Sequence, residues 1–473
     1  MKKTSALLLL FVLPDLLLVQ SEKNPPQKSL VFTHLTVIDA TGAPAQPDTT
    51  VVITGDRISA LSKTGKVTVP KDAQVVDATG KFLIPGLWDM HVHTLWQETL
   101  TETFFPLFIA NGVTGVRDMG GHLELFLQWR KEIAEGKLLG PRLVAAGPIV
   151  DGPEPVHPEV SIAVANEAEG RDAVNSLKKR GADFIKVYNL PREAYFAIAD
   201  EAKKQGIPFA GHVPLAVTAA EASNAGQRSF EHLTPFVGTD QPDLACASLE
   251  ATSRQERGPT STIPAASGDA QSEEKCKALF ARFVRNATWQ VPTLVVRRAR
   301  AFLDRRSIAS DARLRYIPAS MTQEWEMRRT DRLQRPAKYF SKIKREYQKE
   351  LILVSVMHRA RVRFLTGSDV GNPYLYPGFS LHDELALLVE AGFTPMKVLQ
   401  AATRNAAEYL GLLESLGTVE ERKIADLVLL EANPLEEISN TQRIAAVVVR
   451  GKLIPKSSLE AILADVEAAA NQM

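Results

Sequence analysis

The sequence predicts an α/β protein: a (β/α)8 TIM-like barrel with a small β-sandwich formed by the N- and C-terminal segments. Three observations predict it. Between residues 82 and 368, eight short apolar runs are separated by amphipathic stretches, the alternation that builds a parallel sheet covered by helices. Both ends of the chain instead show strand-like runs broken by Gly- and Asp-containing turns. At 473 residues, 45% hydrophobic and 23% charged, the chain has an ordinary globular composition, and barrels of this type run past about 250 residues as one domain.

In order along the chain, Lys2 and Lys3 precede an apolar run, Ala6 to Leu13, extended by Leu16 to Val19, with the small residue Ser21 after it. That is the order of a secretory signal peptide. We therefore expect residues 1–25 to be a signal and the protein to be exported, periplasmic or secreted. The run is short for a stable membrane span. Residues 26–84 contain short apolar, strand-like stretches such as Leu30-Val31-Phe32 and Val51-Val52-Ile53 and form the first part of the sandwich. The barrel occupies 85–413. Its expected strands are 82–93, 115–118, 142–147, 184–188, 208–212, 229–232, 289–295 and 363–368. Expected helices include 103–110, 123–135, 167–180, 192–204 and 217–225. Two insertions interrupt it. Residues 247–272 are rich in Ser, Thr, Ala, Gly and Pro and read as a loop. Residues 297–350 are rich in Arg, Lys and Glu and read as surface helices, their basic cluster a solvated face. Residues 414–473 complete the sandwich and end in a tail.

Lys and Arg number 56 against 55 Asp and Glu, so no charge excess points to nucleic acid. A small-molecule substrate is the expected partner, and a homo-oligomer is compatible with the sequence. Cys246 and Cys276 are the two cysteines; in an exported protein they are able to pair.

The stretch Pro85-Gly86-Leu87-Trp88-Asp89-Met90-His91-Val92-His93 ends a strand in two histidines one residue apart. Residues i and i+2 of a strand share a face, so His91 and His93 aim at one point, where a divalent metal is the commonest guest. Further chemistry-bearing residues fall at other strand ends. Lys186 sits in an apolar run, where an ammonium is costly to bury without a partner. His212, His232 and Asp369 end the strands that follow. Each residue alone has a structural explanation, but six at or near strand ends point to a metal site at the barrel mouth.

The order His-x-His, Lys, His, His, Asp, the Pro85–His93 stretch, Leu365-Thr366-Gly367-Ser368-Asp369, Ala401-Ala402-Thr403-Arg404-Asn405 and Gly417-Thr418-Val419-Glu420 together resemble the amidohydrolase superfamily of metal-dependent hydrolases. The resemblance spans about residues 29–455. It is greatest to the branch of prolidase-like (Xaa-Pro dipeptidase) and imidazolonepropionase-like enzymes. Imidazolonepropionase itself is less similar, because it uses one metal and lacks the lysine. The resemblance implies two divalent metals, zinc being favoured. His91 and His93, with Asp369 beside them, would hold the first, and His212 and His232 the second. Lys186, carboxylated by carbon dioxide, would bridge them as a carbamate. It implies hydrolysis of an amide or peptide C–N bond in a dipeptide or N-acyl amino acid by a metal-bridging hydroxide, with Asp369 as proton shuttle. Tyr188 shares the strand face of Lys186 and is a catalytic and substrate-contact candidate. His157 and His122, in loops, are further substrate-contact candidates. Asp118 and His382 are candidates for orienting ligands, while His34 and His358 lie away from the strand ends. The same site would also suit a lactone, a carbamate, a cyclic amide or a phosphotriester. A silent binding protein on this fold is the non-enzymatic alternative, and the complete ligand set argues against it.

Overall fold

The computed structural model describes residues 28–94, 96, 100–234 and 270–472. The expected signal segment lies outside these residues, as does nearly all of the 247–272 insertion. The Cys246–Cys276 pairing also falls outside them, through Cys246. Among the described residues, no helix is long and apolar enough to cross a membrane.

Five strands open the chain: β1 (Leu30–Val37), β2 (Gln46–Thr54), β3 (Arg57–Lys63), β4 (Gln74–Asp77) and β5 (Phe82–Pro85). The central region follows with β6 (Leu87–Val92), β7 (Val113–Asp118), β8 (Arg142–Ala145), β9 (Ile149–Asp151), β10 (Ser161–Ala163), β11 (Ile185–Val187), β12 (Phe209–Gly211), β13 (Ser229–Glu231), β14 (Trp289–Val291) and β15 (Arg363–Phe364). The chain ends with β16 (Leu427–Leu430), β17 (Ile444–Val449), β18 (Lys452–Pro455) and a helix, Lys456–Ala470.

The terminal strands form one eight-stranded sheet in the order β18-β17-β16-β5-β1-β2-β3, with β4 beside β1. The expected sandwich is thus met only in part. Both chain ends do combine, through antiparallel β5 and β16, but in a single sheet. Its inward residues, Phe32, Leu35, Val51, Ile58, Leu427 and Val448 among them, make a separate core.

The expected first barrel strand, 82–93, is two strands. Gly86 divides them, because its amide donates to Asp426 O of the terminal sheet at 2.7 Å while Leu87 N donates to Gly112 O at 3.0 Å. A Cβ at Gly86 would collide with the Thr114 side chain, so the handover requires glycine.

The central strands are parallel and lie in two sheets, β6-β7-β8 and β10-β9-β11-β12-β13-β14-β15. The expected strand 142–147 breaks after Ala145, and its continuation, β9, pairs with β11 instead. Asp183 N donates to Ala145 O at 2.9 Å across that break. On the other side, β15 stops at Phe364, yet the chain runs on beside β6. Met90 N bonds Thr366 O at 2.8 Å, and Asp369 N bonds His91 O at 2.7 Å. The architecture is therefore α/β with parallel sheets, and backbone hydrogen bonds join them at both seams. A large core of helix and strand side chains, from Ile84 through Phe105, Leu177, Phe230 and Leu351 to Leu430, surrounds the sheets.

The 297–350 insertion is helical, as expected: Leu294–Ala301, Arg306–Ala309, Ala319–Leu333 and Ala337–Arg359. Its basic cluster is not simply a solvated face. Arg297 bonds Glu350, Arg298 pairs with Asp383, and Arg313 bonds Asp311 and Asp383.

Candidate metal centre

The parallel strands all point their C-terminal ends the same way, and that is where the predicted ligands meet. His91 and His93 come from the end of β6, Lys186 from the middle of β11, and His212 and His232 directly follow β12 and β13. Asp369 lies in the segment bonded to β6. His91, His93, Lys186 and Asp369 are buried, and His212 and His232 are half-buried. Lys186 packs on the backbone of β12, where Gly211 has φ +132° and a Cβ would strike Val187 O. His232 (φ 57°) and Asp369 (φ 61°) adopt the left-handed conformation. That is uncommon outside glycine and is found where the surroundings fix a functional side chain.

The six residues converge. His91 Nε2 and His93 Nε2 each lie 3.5 Å from Asp369 Oδ1. Ligand atoms of these three residues all fall within 4.8 Å of one another. The His232 ring is 4.4 Å from that of His91 and 4.9 Å from that of His212, centre to centre. His232 Nδ1 is 3.8 Å from Asp369 Oδ2. Three buried atoms, His91 Nε2, His212 Nε2 and Asp369 Oδ1, have no hydrogen-bond partner among the described residues. Buried polar atoms are normally paired, so imidazole and carboxylate lone pairs left open toward a shared point fit a divalent cation.

The electrostatics agree. Burial, reinforced by Lys186, holds the His91 and His212 imidazoles well below their usual range, and holds His93 down to about 3. For His232 the causes are burial and the neighbouring His91. Neutral imidazole is the ligand form. Burial pulls Lys186 down to about 8, against the attraction of Glu231 and Asp369. Burial also raises Asp369 to about 7, opposed by Arg300 and Lys186.

A cavity of about 180 Å³ opens over His93, Lys186, His212, His232 and Asp369, lined also by Trp96, His157, Tyr188, Arg300 and Asn372, while His91 lies buried beneath it. The Tyr188 ring lies 3.9 Å from that of His212, and the His157 ring is 6.4 Å from Tyr188. His122 is not brought to this cavity. It is exposed and precedes the helix Leu123–Ala134, because the Gly120-Gly121 turn carries the chain away from the strand end. Asp118 does hold the site loop, its Oδ2 accepting from Thr94 N (2.7 Å) and Thr94 Oγ1 (2.8 Å). His382 does not orient a ligand. It bridges Thr441 Oγ1 (2.9 Å) and Asn111 O (3.0 Å), away from the cavity. His34 bonds exposed Asp48, and His358 stacks on Phe393.

Several site residues were not anticipated. Glu231 Oε2 accepts from His91 Nδ1 at 2.7 Å, and its Oε1 accepts from Arg117 Nη2 at 2.9 Å and Ser229 Oγ at 2.5 Å. Asp89 Oδ1 accepts from the amides of His91 (3.3 Å) and Ser368 (2.9 Å). Thr293 Oγ1 lies 2.7 Å from His232 Nδ1. Trp96 Nε1 donates to Gly120 O at 3.0 Å, and its ring stands 4.9 Å from His93. Glu231 and Asp89 adjoin predicted ligands in sequence, and that adjacency was the available signal.

No curated protein matches the chain. Solved structures share its fold. One is a Xaa-Pro dipeptidase with bound methionine (TM-score 0.66, 22% identity, covering 90% of this chain and 100% of that one). Another is a bottromycin amidohydrolase (TM-score 0.70, 24% identity, 95% and 92% covered). A third is a prolidase complexed with N-methylphosphonate-L-proline (TM-score 0.62, 22% identity, 90% and 100% covered). The model of the amidohydrolase family matches residues 82–256 and 324–454, well over half of the chain. The chain therefore belongs to the amidohydrolase family, and is a hydrolase acting on carbon–nitrogen bonds.

Proposed function

We propose that the protein hydrolyses the amide bond of a small substrate, a dipeptide or an N-acyl amino acid, at a two-metal centre on a closed (β/α)8 barrel. The observation that carries this reading is the convergence of His91, His93, His212, His232, Lys186 and Asp369, all but the fully buried His91 lining one cavity, with buried ligand atoms left unpartnered. His91 and His93 would hold one divalent ion, zinc by the chemistry of the donors, and His212 and His232 the other. Lys186, as a carbamate, would bridge them, which removes the cost of a buried ammonium. Bound divalent ions supply Lewis-acid polarisation of the carbonyl and lower the pKa of water. Asp369 is the one carboxylate among the described residues that line the cavity. It takes the proton from the attacking water and returns it to the leaving nitrogen, without which an amine is a poor leaving group. Tyr188 and His157 stand where they can contact the substrate. The cavity is smaller than the roughly 300–1,000 Å³ of drug-sized ligand sites, which favours a substrate of dipeptide size. The Lys2-Lys3 pair and apolar run support export.

The test joins composition to turnover. Purified protein should carry close to two divalent ions per chain. Across dipeptides, N-acyl amino acids, lactones, carbamates, cyclic amides and phosphotriesters, turnover should concentrate on the first two classes. A chelator should abolish it and added zinc restore it. Folded protein that is active while free of metal, or that is metal-loaded yet inert toward every amide, overturns the reading.

A further inference from the structure

The helix Leu294–Ala301 carries three arginines, Arg297, Arg298 and Arg300. Two are neutralised by carboxylates. Arg297 Nε lies 3.0 Å from Glu350 Oε1, and Arg298 Nη2 lies 3.4 Å from Asp383 Oδ2. Arg300 differs. Among the described residues its guanidinium forms no ion pair, and it donates one hydrogen bond, from Nη2 to Asn372 Oδ1 at 3.3 Å. Asn372 in turn donates through Nδ2 to Asp369 O at 3.1 Å. The residue before the helix, Thr293, bonds His232. The helix is therefore fastened to the site at both ends. Arg300, exposed at the mouth, lines the same cavity as Lys186, His212 and Asp369.

We propose that Arg300 is a specificity residue that binds the free α-carboxylate of the amino acid on the leaving-amine side of the scissile bond. This rests on the amide-hydrolase reading above. A guanidinium without an acidic partner, facing a substrate cavity, matches a carboxylate in a two-pronged geometry that lysine does not reproduce. Its side of the cavity is set by Asn372, which ties it to Asp369. That is the side on which the leaving nitrogen receives its proton, and in an amino acid the carboxylate is attached one carbon from that nitrogen. The inferred preference is therefore for substrates with a free C-terminus over their amides or longer peptides.

The test uses reaction products, so that turnover does not intervene. Binding of free L-proline, L-leucine and L-methionine, and of the matching amino acid amides, is measured by calorimetry on the metal-loaded protein and on R300Q and R300K. Hydrolysis of dipeptides and dipeptide amides is measured alongside. We expect the wild type to bind the acids in preference to the amides. R300Q should lose about tenfold or more in affinity for the acids and in kcat/KM for free dipeptides, with the amides unchanged, and R300K should recover part of the loss. Equal losses for acid and amide, no loss, or no preference for acids in the wild type overturns the proposal. If acid-selective binding depends on Arg300 while no amide is hydrolysed, the carboxylate anchor stands and the hydrolase reading falls.

Discussion

At His91 the two ring nitrogens have different tasks. Nδ1 faces the Glu231 carboxylate at 2.7 Å, and a carboxylate accepts, so Nδ1 carries the hydrogen and Nε2 keeps its lone pair toward Asp369 Oδ1, 3.5 Å away. Glu231 is itself fixed by buried Arg117 and by Ser229. Such outer partners set ring orientation and ligand basicity. Glu231→Gln keeps the volume but cannot serve a histidine and an arginine as a carboxylate does. We expect the apparent metal dissociation constant to rise about 10- to 100-fold, read by competition with a chromophoric chelator. Unchanged affinity would show that Glu231 serves folding alone. The residue was hidden by strand alternation. In Ser229-Phe230-Glu231-His232, choosing His232 as a ligand sends Glu231 to the opposite face. The left-handed turn at His232 (φ 57°) breaks that alternation, so both residues serve the same centre. By contrast, Lys186 and Tyr188 keep to one strand face, and both line the cavity.

At the scale of elements, the helix Leu294–Ala301 shows why the composition of the insertion misled. A run of arginines reads as a solvated face when its acidic partners, Glu350 and Asp383, are more than fifty positions away in sequence. Its first turn is held in an unusual way. Glu384 Oε2 accepts from Val295 N at 2.7 Å, while Oε1 is buried without a partner among the described residues. Burial pushes the Glu384 carboxyl up to about 8, against the pull of the helix amides. The sign follows from linkage. A folded pKa above the unfolded value means that the native state holds a proton the unfolded chain gives up. The stabilising contribution is complete below about 4.5 and is lost as pH rises toward 8. Glu384→Gln keeps the acceptor for Val295 N and removes the titration. The variant should match the parent in thermal unfolding near pH 4.5 and exceed it at pH 8 and above, by roughly 3–5 kcal/mol at about 1.4 kcal/mol per unit. A constant offset at every pH would show that Glu384 does not titrate in this window.

At the scale of the whole molecule, the alternation of strands and helices and the pairing of the chain ends were legible because each rests on local periodicity. The seams were not. They depend on where a strand bends, at Gly86 and after Ala145, and on which distant segment lies alongside. The result separates two tasks along the parallel strands. The terminal sheet docks at their starts: Gly86 N bonds Asp426 O, and Arg142, the first residue of β8, places Nε 2.6 Å from Asp426 Oδ2. Asp426 Oδ1 also accepts from Arg450 N at 2.7 Å. The predicted ligands lie at the opposite ends of those strands, and in parallel α/β folds that end carries chemistry while the other carries stability. Asp426→Ala tests the division. It leaves Arg142, a partly buried cation, and the Arg450 amide without their acceptor, which should cost about 1–3 kcal/mol. For a chain of this size the unfolding midpoint should fall by roughly 1 °C for each kcal/mol. Metal content, kcat and KM at 25 °C should stay within about twofold of the parent. Lost turnover at an unchanged midpoint would show that the terminal sheet reaches the chemistry. An unchanged midpoint with full activity would show that the Arg142–Asp426 bond contributes nothing beyond what water supplies.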